Sequence, residues 1–104
     1  MNFGEKVRSL REAKGMIIRE LAASLKVDTS TISKIENCQR HATKNQVAEL
    51  ALALNADFIE LEACWMGTKI YDMLQDITNP SNALIVAEEQ VAYQKLNNKK
   101  QNQI

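Results

Sequence analysis

Residues 20–37 read ELAASLKVDTSTISKIEN, and this short stretch decides how the rest of the chain is organised. Leu21, Ala22 and Leu25 fall at helical spacing, which predicts one apolar face of a short helix. Val27 follows at the corner after that helix, where it is expected to fill the core beneath a second one. The stretch therefore predicts two short helices joined by a tight turn.

The second helix of this pair is predicted to begin at Asp28 or Thr29, because either side chain is able to accept hydrogen bonds from the first N–H groups of a helix. Ile32, Ile35 and Glu36 lie on the side that is predicted to face the core. The outer side carries the remaining polar residues, which are Thr29, Ser30, Thr31, Ser33 and Lys34.

That outer side is unusual, because a surface helix ordinarily carries long charged side chains. Short polar groups at a helix N-terminus allow close approach to another surface, and the helix dipole there favours anions such as phosphates. In a DNA major groove, Ser and Thr bond several base edges, and Lys favours the acceptors of guanine. Periodicity alone leaves two interpretations open: a helix that reads DNA, or a packed pair of helices with a polar outer face.

Three motifs carry a family resemblance, namely Phe3–Gly15 (FGEKVRSLREAKG), Leu21–Ala22 and Ile32–Asn37 (ISKIEN). Together they resemble the Cro/C1-type helix-turn-helix domain (the XRE family), which occurs in phage repressors, small bacterial regulators and the controller proteins of restriction-modification systems. The resemblance covers about Asn2 to Glu62 and favours DNA binding over the alternative. It implies an all-α, lambda-repressor-like DNA-binding domain of five helices, followed here by a C-terminal helical extension.

The resemblance also implies roles for individual residues. Arg11 stands where family members have an arginine that pairs with the glutamate of the recognition helix, here Glu36, and a half-buried carboxylate needs such a partner. The residues expected to read DNA bases are Thr29, Ser30, Thr31 and Lys34, with Ser33 peripheral. The residues expected to hold DNA phosphates are Arg19, Asn37, Arg40 and Lys44.

The chain departs from the family at Met16–Ile18. Family members commonly have a serine that caps the second helix and a glutamine just inside it that touches a phosphate, whereas both positions are aliphatic here. Loss of a cap costs about 1 kcal/mol, and Arg19 is expected to replace the phosphate contact. The alternative interpretation is that exposed aliphatic side chains at this place contact another protein. Cys38 fills a position where the family usually has glycine.

Apolar spacing and capping residues predict further helices on both sides of this pair. The predicted helices are residues 2–14 with Asn2 as cap and Gly15 as terminator, 43–54 with Thr43 as cap, a long helix after the cap Asp57, and 81–96. Phe58, Leu61 and Trp65 are expected to continue the core, and Gly67 is a possible kink in the long helix. The segment Thr78–Ser81 is the clear break between the last two helices.

The long helix carries an apolar stripe that is longer than a small domain needs to cover itself. The stripe consists of Ile59, Ala63, Met66, Ile70, Met73 and Ile77. Two interpretations stay open: two chains pair through Met66, Ile70, Met73 and Ile77, or the last helix folds back and packs Leu84, Ala87 and Val91 on the stripe. The expected organisation is a DNA-binding domain over 1–66, a helical extension that serves dimerisation over 67–97, and a disordered tail over 98–104.

Formal net charge is zero over 104 residues, but the charges are unevenly placed. Residues 1–44 contain nine Lys/Arg against five Asp/Glu, and residues 45–104 contain four against eight. A basic part and an acidic part favour approach to DNA in one orientation. The chain shows no apolar stretch of membrane-spanning length and no signal peptide at its start, which predicts a cytoplasmic protein.

The chemistry-bearing residues are too few for a catalytic or metal site. Cys38 and Cys64 are expected to be reduced, and His41 is expected to be a polar loop residue. Four tetrahedral ligands for zinc are not available from these three, so no metal and no cofactor are predicted. No nucleophile–base pair or paired-acid arrangement is present, so an enzyme is not expected.

The predicted function is a sequence-specific transcription regulator that binds double-stranded DNA as a homodimer at an inverted-repeat operator. The alternative is an interaction protein, such as the antitoxin of a toxin–antitoxin pair, whose C-terminal helices bind a protein partner. Restriction-modification controllers and phage-type repressors fit equally well. The operator sequence and the direction of regulation are not encoded in any readable motif.

Overall fold

In a computed structural model, the described part of the chain is residues 1–101, with side chains described as far as Asn98. Every regular element in these residues is an α-helix, which confirms the predicted all-α class. The helices are α1 (Phe3–Ala13), α2 (Ile18–Leu25), α3 (Thr29–Glu36), α4 (Lys44–Leu54), α5 (Phe58–Met73) and α6 (Pro80–Gln101).

The chain divides into two compact units. The first is Met1–Asp72 and contains α1 to α4 with nearly all of α5, and the second begins at Met73 and consists mainly of α6. The first unit extends beyond the predicted boundary at residue 66 because Thr68 is part of it. Its Oγ1 accepts a hydrogen bond from Phe3 N at 2.9 Å and donates to Cys64 O at 2.9 Å, so α5 caps the start of α1.

Both ends of α1 follow from its sequence. Asn2 Oδ1 accepts a hydrogen bond from Glu5 N at 2.9 Å, as an N-cap does. At the other end Gly15 adopts φ +68°, and Met16 N donates to Arg11 O at 3.1 Å. This is the six-to-one hydrogen bond of a Schellman motif, which requires the left-handed conformation that glycine adopts without strain.

Helix α2 begins without a side-chain cap, as the aliphatic residues before it predict. Ile17 occupies the N-cap position and has no acceptor to offer, but Glu20 Oε1 accepts from Ile17 N at 3.0 Å. Half of a capping box therefore remains. Helix α2 ends at Leu25, and the next residue, Lys26, adopts φ +58° and lets Val27 N donate to Ala22 O at 3.0 Å. A lysine in this left-handed turn is strained by about 1 kcal/mol.

The core of the first unit lies between α1, α2, α3 and α4, and α5 closes it. The largest fully buried side chains are Val7, Leu21, Ile32, Ile35, Val47, Leu50 and Leu61. Trp65 on α5 is also buried, and its Nε1 donates to Ala42 O at 2.7 Å. This hydrogen bond fixes the loop between α3 and α4 to α5. Thr43 and Gln46 then form a full capping box at the start of α4.

Helix α1 touches the end of α3 so closely that only glycine fits at position 4. A Cβ on Gly4 would lie 2.5 Å from Glu36 O and 2.6 Å from Ile35 O. Both atoms belong to the backbone and have no freedom to move aside. Cys38 follows immediately with φ +59°, a conformation that explains why glycine suits this position.

Three expectations differ from the structure, namely the burial of Phe58, the end of α5 and the disordered tail. Phe58 is 36% exposed rather than buried. Helix α5 ends at Met73, so Ile77 lies in the connection to α6 and does not continue the helical stripe. Helix α5 continues through Gly67, and the kink expected there stays a prediction. Helix α6 continues to Gln101, into the segment that was expected to be disordered, and residues 102–104 lie outside the described residues.

Helix α6 begins where the sequence predicts a break. Asn79 Oδ1 accepts from Asn82 N at 3.1 Å, and Pro80 takes the first helical position, where its missing N–H costs nothing. Its large apolar side chains are all exposed in this chain, namely Leu84, Ile85, Val86, Val91, Tyr93 and Leu96.

The close approach at Gly4 predicts opposite effects for the same substitution at two helical glycines. Gly4→Ala should destabilise the protein by about 1–3 kcal/mol or more, because the added methyl overlaps backbone atoms of α3. Gly67→Ala is the matched control: nothing lies within 4 Å of its Cβ, so higher helix propensity should stabilise by up to about 1 kcal/mol. Urea denaturation at equal protein concentration measures both, and a Gly4→Ala protein as stable as the wild type would contradict the close contact.

Candidate nucleic-acid interface

The polar centre of the first unit is the carboxylate of Glu36, whose side chain is fully buried. Arg11 binds it with two nitrogens: Nε lies 2.7 Å from Oε2 and Nη2 lies 3.1 Å from Oε1. Arg11 Nη1 also donates to Met16 O at 2.8 Å. This ion pair therefore joins α1, the α1–α2 turn and the last residue of α3.

Arg11 is itself almost buried, with 11% of its side chain exposed. Its hydrogen bond to Glu36 raises the pKa of Arg11 above its ordinary value, although burial acts in the opposite direction. The guanidinium therefore keeps its charge at every accessible pH. No buried side-chain nitrogen or oxygen among the described residues lacks a hydrogen-bond partner.

A second arginine reaches the same carboxylate, and the sequence interpretation missed it. Arg8 Nε lies 3.4 Å from Glu36 Oε1, and Arg8 Nη2 donates to Asn37 Oδ1. The signal was present in the spacing, because residues three apart on a helix share a face, as Arg8 and Arg11 do. The end of α3 is thus held by two arginines from α1.

The outer side of α3 faces solvent as predicted from its period. Thr29, Ser30 and Lys34 are exposed, while Thr31 and Ser33 are half-buried. Asp28 takes the N-cap position, but its side chain makes no capping hydrogen bond. The first turn of α3 therefore presents backbone N–H groups together with short hydroxyls, which is an arrangement suited to an anion or a base edge.

The four predicted phosphate-binding residues are all exposed, but their surroundings differ. Arg19 lies in the first turn of α2, and Arg40 lies in the loop after α3. Asn37 contacts Arg8 and also Ser33, where its Nδ2 lies 3.5 Å from Oγ. Lys44 opens α4, with its Nζ 4.0 Å from Glu62 Oε2. The structure thus brings Asn37 into a network and sets Lys44 beside an acid.

The loop between α3 and α4 has a second anchor besides Trp65. His41 Nε2 lies 3.1 Å from Asp72 Oδ2, with both side chains about half exposed. His41 is therefore a loop residue with a specific partner on α5. Across residues 1–98, no three His, Cys, Asp or Glu side chains lie close enough together to hold a metal ion. No helix in the described part of the chain is long and apolar enough to cross a bilayer.

Helices α2 and α3 are joined by the tight turn at Lys26–Val27. The hydroxyl-bearing side of α3 is exposed, and its end is bound to α1 through Glu36. This arrangement is that of a helix-turn-helix DNA-binding domain. The chain belongs to the Cro/C1-type helix-turn-helix family (XRE family), because the family model described as helix-turn-helix matches residues 7–61. The chain is accordingly a DNA-binding transcription regulator with a lambda-repressor-like fold. Comparisons with curated proteins and with solved structures gave no match.

The burial of Glu36 predicts a large stability effect for a change of one atom. Glu36→Gln should cost about 3–5 kcal/mol, because it leaves the nearly buried Arg11 with only the long contact to the exposed Glu12. Glu62→Gln is the matched control, since its contact with Lys44 is long and partly exposed and should contribute less than about 1 kcal/mol. Urea denaturation of both variants checks this, and equal losses would show that the Glu36 pair is not the buried anchor.

Proposed function

We propose that this protein is a sequence-specific regulator that binds an inverted-repeat operator as a homodimer, with α3 in the major groove. The observation that carries the proposal is the way in which α3 is held in the first unit. Its inner side is fixed by the buried Glu36, so its short polar residues are held outward on a rigid support. Preorganised side chains on a rigid helix lose little entropy on binding, which favours specific recognition.

Thr29, Ser30, Thr31 and Lys34 are proposed as the base readers. Thr29 and Ser30 lie in the exposed first turn of α3, where the short side chains permit close approach of a base edge. Lys34 lies one turn further on and has the length to reach guanine acceptors. Thr31 is half-buried, so its hydroxyl has a narrower range of directions than the other three.

Arg19, Asn37, Arg40 and Lys44 are proposed as phosphate contacts that fix the orientation of the domain on DNA. Phosphate contacts position a protein without reading sequence. Arg19 takes over from the glutamine that the family commonly carries at the start of the second helix. Lys44 is the weakest of the four, because Glu62 competes for its charge.

The homodimer is proposed to form through the exposed apolar side of α5 and the segment after it. Met66, Ile70 and Met73 follow one another at helical spacing, and each is exposed in this chain. Ile77 is exposed too and belongs to the same predicted set, although it lies past the end of α5. Two recognition helices about 34 Å apart would read successive faces of the major groove.

A protein partner for the C-terminal helix is the second candidate, as in an antitoxin. The observation that favours it is the run Ala83–Ala87, five successive apolar residues that cover the whole circumference of α6. A helical segment that is apolar all round is normally buried, although the polar residues that follow in α6 confine this argument to residues 83–87. Co-purification of a second polypeptide at fixed stoichiometry would select this candidate, and its absence together with a dimeric chain would select the homodimer.

The operator contacts predict a contrast between Lys34 and Arg40. After an operator is selected from random DNA, Lys34→Met should lower discrimination against random sequence by about 1–3 kcal/mol. Arg40→Met should weaken both DNAs alike and reduce the dependence of log K on log salt by about one. Salt titrations of both variants decide it. A Lys34→Met protein that weakens all sequences equally would make Lys34 a phosphate contact instead.

The proposed dimer predicts that a charge introduced at the exposed Met73 weakens dimerisation, whereas the same charge at the similarly exposed Leu52 does not. Met73→Lys should raise the dimer dissociation constant at least about 10-fold, because it places a charge in an apolar contact. Leu52→Lys is the control: Leu52 on α4 is 83% exposed and Met73 is 76% exposed. The added lysine attracts DNA, so weaker operator binding by Met73→Lys would reflect lost dimer. Sedimentation that shows Met73→Lys fully dimeric would place the interface elsewhere.

A further inference from the structure

Arg8 links α1 to the outer side of the recognition helix through a short chain of contacts. Its Nη2 donates to Asn37 Oδ1, and Asn37 Nδ2 lies 3.5 Å from Ser33 Oγ, the outer limit of a hydrogen bond. The Nε atom of Arg8 lies 3.4 Å from Glu36 Oε1. Arg8 therefore contacts Glu36 and Asn37 directly and reaches Ser33 only through Asn37.

Neutralising the charge of Glu36 does not explain why the Arg8 side chain lies at the end of α3. Arg11 already binds both oxygens of that carboxylate at 2.7 and 3.1 Å. The contact of Arg8 is longer, and 45% of its side chain is exposed, so this ion pair contributes little to stability. Arg11 also lies 3.8 Å from the exposed carboxylate of Glu12, so the two arginines face two carboxylates. The contact of Arg8 with Asn37 is shorter than its contact with Glu36, and the stability of the Glu36 ion pair does not account for it.

The chemistry of arginine fixes which way the Asn37 amide points. A guanidinium carries only N–H donors, so the atom that meets it must be the amide oxygen. The amide NH₂ group of Asn37 therefore faces away from Arg8, on the side of Ser33. An NH₂ group directed there is a donor for an oxygen acceptor, whereas an unrestrained asparagine would present oxygen and nitrogen alternately.

We infer that Arg8 is a positioning residue for DNA binding, which holds the Asn37 carboxamide with its NH₂ group ready to donate to a phosphate oxygen of the DNA backbone. This inference rests on the proposed DNA-binding function. Arg8 acts on the phosphate through Asn37, and the two residues behave as one unit. Losing either residue removes the same contact.

The first test observes Asn37 in the free protein. In ¹⁵N NMR, Arg8→Met should shift the Asn37 side-chain NH₂ signals and increase their motion. Lys6→Met is the control, because it removes one positive charge from roughly the opposite side of α1. It should leave the Asn37 signals unchanged. Methionine is a good helix former and Arg8 is half-exposed, so the variant should fold. Unchanged Asn37 signals, or lost helical circular dichroism, would overturn the positioning role.

The second test is a double-mutant cycle on DNA affinity with Arg8→Met, Asn37→Ala and both together. Each single change should weaken binding about 10-fold, on operator and random DNA alike, because the contact is to the backbone. The double change should add no more than about 2-fold to the larger single loss, since coupled residues are not additive. Lys6→Met should lose less than about 3-fold, and a loss equal to that of Arg8→Met would overturn the inference.

The outcomes separate this inference from the proposed function. A wild-type protein that binds no DNA at low salt would overturn both together. Binding by the wild type, with losses for Arg8→Met and Asn37→Ala that multiply to about 100-fold in the double variant, would overturn only the inference. Arg8 would then be an independent phosphate contact.

Discussion

The burial of one carboxylate constrains the whole DNA-binding unit. A carboxylate removed from water costs several kcal/mol unless it is paired and hydrogen-bonded, and Glu36 is fully buried. Arg11 must therefore stay within hydrogen-bond distance, which sets the position of α1 against the end of α3. The same junction brings the backbone of α3 against Gly4, so packing and electrostatics fix the same two helices together. The outward side of α3 is a consequence of this double constraint.

Most features of the fold that depend on neighbouring residues were predicted from the sequence, and the side-chain cap of α3 at Asp28 is the exception. Asn2, Thr43 and Asp57 each cap the helix they precede, because a short acceptor side chain acts within three residues. Phe58 was predicted wrongly. It opens α5 and is 36% exposed, whereas Phe3 opens α1 and is buried, so the position of a phenylalanine in its helix does not decide its burial without the tertiary contacts. The predicted end of α5 was also wrong, because nothing in the composition of residues 74–76 forbids another helical turn.

The candidate site shows the same division. Spacing alone placed the hydroxyl-bearing side of α3 outward, and the resemblance supplied the pairing of Arg11 with Glu36. The spacing of Arg8 and Arg11 placed both on one face of α1, but the partners of Arg8 lie 28 and 29 residues away, so spacing alone did not identify them. Family membership fixes the class of activity. In the proposed complex, the base read by each side chain depends on the angle at which α3 enters the groove, and that angle would follow from the proposed dimer rather than from α3 itself.

The distribution of charge makes the DNA surface and the remaining surface of the first unit electrostatically distinct. Residues 1–44 carry the excess of Lys/Arg, whereas residues 45–72 contain one lysine and five Asp/Glu. Both stretches belong to the same compact unit, so the acidic charge lies on α4 and α5 rather than on the C-terminal helix. Phosphates are repelled from α4 and α5 beyond Lys44 and attracted towards α1 to α3. This distribution supports the proposal that DNA approaches the hydroxyl-bearing side of α3, and it leaves the exposed apolar side of α5 for the proposed protein contact.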